Sequence, residues 1–414
     1  MEGANMASKL TPELKNSPYP ALSTFQEVER PPDIRQAEPS APLSPEAHKL
    51  AEIFASVDIR LNGTRPWDLR VFDNRVYQRV LSEGSIGAGE SYMDGWWDSN
   101  ALDEFFYRIH RLNPYDKLGV WGVLWLALKG RIWNLQTKGR GRRVAHEHYD
   151  LGNDLYEAML GRRMQYTCAY WKGASTLDEA QENKLSLICR KIQLAPGMKV
   201  LELGGGFGGL AHCMAAEYGC QVVSYNISKE QVAYGRELSK GLPVRFEQKD
   251  YRESVGDPDS FDRVVAIGLC EHIGYKNYRS FLEIAQSRLK DKGLFLLHTI
   301  GGNESFTSTD AWVDKYIFPN GMIPSLAQLG KAMENLWVVE DLHNFGPDYD
   351  RTLLAWWQNF ERAWPDLRSK YGDRFYRMWK FYIMASAGRF RARKLQLWQF
   401  VLSKGDIPAY TPVR

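Results

Sequence analysis

The fold of this chain is decided by the stretch Val200-Leu201-Glu202-Leu203-Gly204-Gly205-Gly206-Phe207-Gly208-Gly209-Leu210. An apolar run that ends in an acid is followed by five glycines in six positions, and a helix-like segment then continues to Gly219. Strand, tight turn and helix in this order form the first half of a nucleotide-binding βαβ unit. Glycines let the backbone approach a ligand, and the first N–H groups of the helix face it. At such turns glycine can also be present only to allow close packing. The ligand must therefore be inferred from the strands that follow.

Those strands favour S-adenosylmethionine over a dinucleotide. Residues 221–226 read as the second strand, which ends without the acid that a dinucleotide fold places on its ribose. The third and fourth strands, residues 244–247 and 261–268, run into polar residues, namely Asp250 and Tyr251 after the third and Glu271 and His272 after the fourth. This order suits S-adenosylmethionine: the glycines would lie under its amino-acid end, polar groups after the second strand would contact the ribose, and the polar pair after the third strand would contact adenine. The pattern predicts methyl or methylene transfer.

Three further strands are predicted at residues 293–301, 337–341 and 397–402. His298 stands near the carboxyl end of the first of them, and ligands of parallel α/β sheets lie outside such ends. A histidine there is either a structural or a functional residue, and the pattern leaves both open.

Composition excludes several classes of protein. No apolar run reaches the ~18 residues of a membrane span, and the N-terminus lacks the layout of a signal peptide. Five cysteines without Cys-x-x-Cys spacing argue against a disulfide framework and against a structural metal site. The net charge of +3 is too small to indicate nucleic-acid binding. We therefore expect a cytoplasmic protein that binds neither metal nor nucleic acid.

Composition also divides the chain into four parts. Residues 1–45 are rich in proline and serine and are predicted to be a disordered tail. Residues 46–116 are predicted to form a small, mostly helical domain with one short sheet, in which Trp96 and Trp97 either pack in the core or contact a lipid or partner. Residues 117–143 are a basic linker, and residues 144–414 are the catalytic domain.

The basic linker has two interpretations. Its apolar segment, residues 120–128, carries two tryptophans and is followed by six lysines and arginines without an acid. Such a segment suits the interface with anionic headgroups, although a solvated linker has the same composition.

A second ambiguous region is residues 352–393, where eleven aromatic side chains occur. They either wall a long apolar cavity or pack a pair of helices.

Nine stretches together resemble the cyclopropane-fatty-acyl-phospholipid synthases, relatives of the mycolic-acid cyclopropane synthases. These stretches are Gly89-Glu-Ser-Tyr-Met-Asp-Gly-Trp-Trp, His148-Tyr-Asp-Leu-Gly-Asn-Asp, Cys168-Ala-Tyr-Trp-Lys, Glu271-His-Ile-Gly, Leu297-His-Thr-Ile-Gly, Tyr316-Ile-Phe-Pro-Asn-Gly, His343-Asn-Phe-Gly, Asp348-Tyr-Asp and Phe390-Arg-Ala-Arg. The resemblance implies a Rossmann-like, seven-stranded S-adenosylmethionine methyltransferase domain. It also implies helical insertions that form a lipid cavity.

The activity implied by the resemblance is conversion of a cis double bond in a membrane phospholipid into a cyclopropane ring. The family's base is a bound bicarbonate, held at the positions that are here Glu271, His298 and Tyr349, with backbone contacts from Cys168 and Ile300. The resemblance further implies peripheral contact with the inner face of the membrane and a tendency to form homodimers.

The resemblance assigns cofactor binding to four regions: the glycine loop, a pair of residues before it, and two stretches after it. The residues are Tyr166, Thr167, Leu201, Glu202, Leu203, Gly204, Gly205, Gly206, Phe207, Gly208, Gly209, Asn226, Ile227, Ser228, Lys229, Glu230, Gln231, Asp250 and Tyr251.

Three positions depart from the family pattern, where Cys, Trp and Cys are usual and this chain has Gly205, Phe207 and Ser386. Two alternatives stay open: a methyltransferase that gives branched or methylene chains, and a lipid-binding relative without catalysis.

Overall fold

The computed structural model describes residues 44–112, 152–253 and 259–414. The helices are α1 (Pro45–Ala55), α2 (Arg75–Glu83), α3 (Ser85–Met93), α4 (Leu102–Ile109), α5 (Asn153–Leu160), α6 (Leu177–Lys191), α7 (Gly209–Ala216), α8 (Lys229–Leu238), α9 (Tyr278–Arg288), α10 (Ala311–Tyr316), α11 (Leu326–Met333) and α12 (Pro347–Arg391). The strands are β1 (Arg70–Val71), β2 (Trp97–Asp98), β3 (Lys199–Leu203), β4 (Gln221–Asn226), β5 (Val244–Gln248), β6 (Phe261–Ile267), β7 (Leu289–Gly302), β8 (Val338–Asn344) and β9 (Leu395–Ser403).

A seven-stranded sheet in the order β5-β4-β3-β6-β7-β9-β8 forms the centre of the fold. Its first five strands are parallel, and β9 runs antiparallel between β7 and β8. The predicted fold class is thus confirmed. The edge strand β8 extends to Asn344, beyond the predicted end at residue 341, because its exposed side chains give it a weak hydrophobic signal.

Both faces of the sheet are covered, as the run of apolar residues in each strand requires. Side chains alternate between the faces, so Val200 packs with α6 and α7 while Leu201 and Leu203 pack with α9. The glycine stretch therefore begins at the end of a strand that is fixed from both sides.

The helix α12 connects the sheet with the N-terminal segment. It is interrupted at Gly372, whose φ of 76° is not helical. Close packing against α4 occurs at Gly388, where a Cβ atom would lie 2.5 Å from the backbone nitrogen of Tyr107. Residues of α1 to α4 and α12 share one apolar core.

The tryptophan pair of the N-terminal segment has a structural role. Trp97 is buried, and its indole N–H donates to the carbonyl of Ala88 at 3.0 Å. Trp96 is half-buried, with the Arg75 guanidinium 4.5 Å from the centre of its ring. These contacts agree with the packing interpretation.

The predicted tail falls almost entirely, and the apolar and basic segment wholly, outside the described residues. The division at residues 46, 117 and 144 stays a prediction. Within the described parts of the chain, no helix is long and apolar enough to cross a membrane.

Candidate functional site

A first cavity lies at the carboxyl ends of β3, β4, β5 and β6, where the sequence places the cofactor. Twelve predicted residues line it: Tyr166, Thr167, Glu202, Gly204, Gly205, Gly206, Phe207, Asn226, Ile227, Gln231, Asp250 and Tyr251. Parallel strands bring these distant residues to one edge of the sheet.

Seven predicted cofactor residues do not line this cavity: Leu201, Leu203, Gly208, Gly209, Ser228, Lys229 and Glu230. Leu201 and Leu203 point into the core beneath the sheet. Ser228 instead caps α8, where its hydroxyl accepts from the N–H of Gln231 at 3.3 Å. These residues shape the turns that carry the lining residues.

Other lining residues were missed from the sequence, among them Lys249, Arg252, Gly268, Leu269 and Ile273. Gly268 and Leu269 directly follow β6 and Lys249 directly follows β5, so the rule that ligands lie beyond strand ends would have found these three.

The glycine turn has the geometry of a cradle. The N–H groups of Gly204 and Gly205 both donate to the carbonyl of Tyr225, at 2.9 and 3.0 Å. Gly206 has a φ of 51°, a conformation that side chains disfavour. The Asn226 amide donates to the carbonyl of Gly206 at 2.9 Å and so ties the turn to the end of β4.

A buried acid and a buried lysine support this cradle from below. Glu202 accepts a hydrogen bond of 2.6 Å from the Ser224 hydroxyl, and burial raises the pKa of Glu202 to about 7. Lys184 donates to Gln165 and, at 3.0 Å, to the Thr167 hydroxyl. Burial lowers the pKa of Lys184 to about 7. Lys184 thus holds the loop that brings Tyr166 and Thr167 over the cavity.

A second cavity adjoins the first. Its volume is about 360 Å³, against about 160 Å³ for the first. Four residues line both: Tyr166, Thr167, Gly268 and His272. The hydroxyls of Tyr166 and Tyr382 lie 3.2 Å apart at this junction. A group bound in one cavity can therefore reach a group bound in the other.

Glu271 and His298 bring two buried polar atoms to the second cavity. Glu271 Oε1 accepts from the N–H of Ile300 at 2.6 Å, whereas Oε2 has no hydrogen-bond partner among the described residues. Burial raises the pKa of Glu271 to about 7, although the Ile300 N–H opposes this. The raised pKa favours the protonated form of this carboxyl group relative to an exposed glutamate.

His298 is fixed from the opposite side. The Gln399 side-chain amide lies 3.2 Å from Nδ1 and orients the ring, so that Nε2 is directed away from this contact. Nε2 has no hydrogen-bond partner in the described part of the chain. Burial lowers the pKa of His298 well below its usual range, so the ring is neutral. Its position favours the functional interpretation over the structural one.

The remaining predicted catalytic residues are placed differently. Tyr349, in the first turn of α12, and Ile300 line the second cavity, but Cys168 does not. The Cys168 thiol is buried and faces the carbonyl of Ala169 at 3.2 Å, and burial raises its pKa well above the usual range. Ser386 lines the cavity.

The aromatic residues of α12 serve both predicted purposes. Phe381, Tyr382 and Phe390 line the second cavity. Trp357 and Tyr376 instead pack against each other, with ring centres 5.3 Å apart. In the described residues, no cluster of His, Cys, Asp or Glu has the arrangement of a metal site.

The sheet order, the glycine cradle and the cavity at the strand ends define an S-adenosylmethionine-dependent methyltransferase. A family model described as mycolic acid cyclopropane synthetase matches residues 136–400. The chain is 48% identical over 355 residues to the cyclopropane-fatty-acyl-phospholipid synthase of Escherichia coli strain K12, which covers 86% of this chain and 92% of that protein. The chain belongs to the cyclopropane synthase family.

Solved structures agree with this membership. The cyclopropane synthase MmaA2 from Mycobacterium tuberculosis aligns with a TM-score of 0.60 and 25% identity, covering 66% of this chain and 100% of that one. The mycolic acid cyclopropane synthase CmaA1, complexed with SAH and CTAB, aligns with a TM-score of 0.59 and 27% identity, covering 64% and 98%. The resemblance stated from the sequence motifs is confirmed.

Proposed function

We propose that this enzyme adds a methylene group across the cis double bond of an unsaturated acyl chain in a membrane phospholipid, giving a cyclopropane. The observation that carries this proposal is a pair of buried atoms, Glu271 Oε2 and His298 Nε2, that have no hydrogen-bond partner among the described residues and lie in an apolar cavity that meets the cofactor cavity. S-Adenosylmethionine supplies the one-carbon unit, and bicarbonate supplies the base for ring closure.

The apolar walls perform the first task of the reaction. An alkene is a weak nucleophile, so it must be held against the methyl donor without competing water. Tyr166 and Thr167 line both cavities, where they orient the two reactants toward each other. Methyl transfer leaves a cation on the acyl chain, and the aromatic faces of Tyr349 and Phe390, whose ring centres are 4.5 Å apart, stabilise positive charge.

The polar pair performs the second task. A small oxyanion fits between a neutral His298, which donates from Nε2, and Glu271, which donates from Oε2 when it is protonated. Tyr349 lines the same cavity and would donate its hydroxyl proton. This donor set matches bicarbonate in hydrogen-bonding capacity. Glu271 and His298 would thus position the base.

Gas chromatography with mass spectrometry tests the reaction. Purified protein, S-adenosylmethionine, bicarbonate and vesicles with cis-unsaturated chains should give the cyclopropane standard. An acyclic methylated product would contradict ring closure and favour the branched-chain alternative. Cofactor binding without any product would favour the lipid-binding alternative.

A variant tests the base site. Glu271→Gln should keep S-adenosylhomocysteine affinity within about twofold, because Glu271 lies outside the cofactor cavity lining. Turnover should fall about 100-fold or more, as is usual for loss of a group that acts on the proton transfer. Buffers depleted of carbon dioxide should reduce wild-type turnover, and bicarbonate should restore it. Turnover that is insensitive to bicarbonate would contradict the proposed base.

A further inference from the structure

A cation that has no hydrogen-bond or ion-pair partner among the described residues lines the second cavity. Among the described residues that line this cavity, Arg389 of α12 is the only arginine, and none of them is a lysine. Its guanidinium has no hydrogen bond or ion pair with the described residues. Arg391, two positions later, pairs instead with Asp103 at 2.8 Å and with Asp350 at 2.9 Å. The two arginines therefore have different surroundings. Arg391 forms an ion pair that joins α12 to α4, whereas Arg389 lines the cavity.

The neighbours of Arg389 leave its charge available. His110 of α4 lines the same wall, and burial beside Arg389 lowers the pKa of His110 to about 3, so the ring is neutral. Asp310 is the acid near Arg389. Its carboxylate accepts from the N–H groups of Trp312 and Val313, at 3.0 and 3.1 Å, and caps α10. Burial lowers the pKa of Arg389, and the negative charge of Asp310 opposes this shift.

Arg389 is half-buried, and a charge that is partly withdrawn from water is costly unless a ligand supplies the counter-charge. The rest of the cavity lining is largely apolar, including Phe106, Ile109, Val313 and Leu353. An amphiphile with an anionic group and a long apolar part fits this lining, whereas bicarbonate alone would leave the apolar walls uncovered. Guanidinium binds phosphate through two parallel hydrogen bonds, which makes it well suited to a phosphodiester.

We propose that Arg389 binds the phosphodiester of the glycerophospholipid whose acyl chain occupies the second cavity. This inference rests on the proposed function, because it assigns the headgroup of the same substrate. Arg389 selects phospholipid over neutral glycerolipid and fixes the depth to which the acyl chain enters.

Mixed micelles of a neutral detergent test this selection. Cyclopropane formation is measured with dioleoylphosphatidylglycerol and with dioleoylglycerol, which lacks the phosphate. Arg389→Gln should raise the KM for the phospholipid about 10-fold or more, as expected for loss of charge-assisted hydrogen bonds, and leave the KM for dioleoylglycerol unchanged. Arg362→Gln is the matched control, because Arg362 lies exposed on the same helix.

Three results would overturn the proposal. Equal losses with both lipids would indicate a change in cavity shape, and an equal effect of Arg362→Gln would indicate general surface charge. Competitive inhibition of the wild type by inorganic phosphate, abolished by Arg389→Gln, would assign the residue to free phosphate. The expected result is no such inhibition at millimolar phosphate.

Calorimetry with dihexanoylphosphatidylglycerol separates this proposal from the proposed reaction, because it needs no turnover. Binding that Arg389→Gln weakens about 10-fold and Arg362→Gln preserves would support the phosphodiester site even where the wild type makes no cyclopropane. Undiminished binding to Arg389→Gln would refute the site whether or not the wild type is active.

Discussion

Gly205 offers the sharpest test of the cofactor cradle, because this position departs from the pattern of the family. A Cβ atom at residue 205 would lie 1.9 Å from the Ser224 hydroxyl oxygen and 2.7 Å from Glu202 Oε2. The Ser224 hydroxyl donates to the same Glu202 oxygen at 2.6 Å. Gly205→Ala should therefore displace the hydroxyl and break this buried hydrogen bond.

The expected cost follows from the bond that is lost. A hydrogen bond to a charged or partly charged group contributes about 1.5–3 kcal/mol. Replacing glycine by alanine recovers about 0.5 kcal/mol through the unfolded state, and the φ of Gly205 is not in the left-handed region. The net loss is thus about 2 kcal/mol, which corresponds to a decrease in Tm of roughly 4–8 °C in a domain of this size.

Differential scanning fluorimetry measures Tm, and calorimetry measures affinity for S-adenosylhomocysteine, since Gly205 lines the cofactor cavity. Ser224→Ala removes the same hydrogen bond, so the Gly205→Ala/Ser224→Ala double variant should cost about as much as Ser224→Ala alone. Gly330→Ala is the control: nothing lies within 4 Å of the new methyl group, and alanine favours the helix by about 1 kcal/mol.

Two results would refute this reasoning. Gly205→Ala could leave both Tm and affinity at wild-type values, in which case the Ser224 hydroxyl is not confined. The two substitutions could also have additive effects, in which case they do not act through the same hydrogen bond.

Three other predictions concern stability and membrane binding. Burial raises the pKa of Glu202 and Glu271 from 4.5 to about 7, so the folded protein retains protons that the unfolded chain has released. The contribution of these two carboxyl groups to stability should therefore fall as pH rises from 4.5 to 7, and it should be absent from Glu202→Gln/Glu271→Gln, so the Tm of the variant relative to the wild type should rise across this range in a series of melts. Gly388→Ala should lower Tm by several degrees, because its methyl group meets the backbone of α4 rather than a movable side chain; an unchanged melt would contradict the close helix crossing. Neutralising the three arginines of residues 140–143 should weaken sedimentation with anionic vesicles, less so at high salt, and unchanged binding at low salt would leave this segment a linker.

Much of the sheet and half of the site could be predicted from local patterns. Apolar runs bounded by glycine mark strands, and ligands of parallel sheets lie beyond the strand ends. Both Glu271 and His298 were found by this rule, whereas Tyr349 came only from the family motif. Its helix begins after the edge strand β8, so no strand pattern leads to it.

The sequence by itself determined the elements, their order and the residues at the strand ends, because these depend on the periodicity of neighbouring side chains. Only the tertiary structure decided which atoms meet. Gln399 orients His298 from 101 positions away, and the Ile300 N–H occupies one oxygen of Glu271 and leaves the other facing the cavity. Likewise, packing brings Asp310 to the wall that carries Arg389, while the Asp310 carboxylate caps α10. Such pairings result from packing between distant segments, and no local pattern of the sequence encodes them.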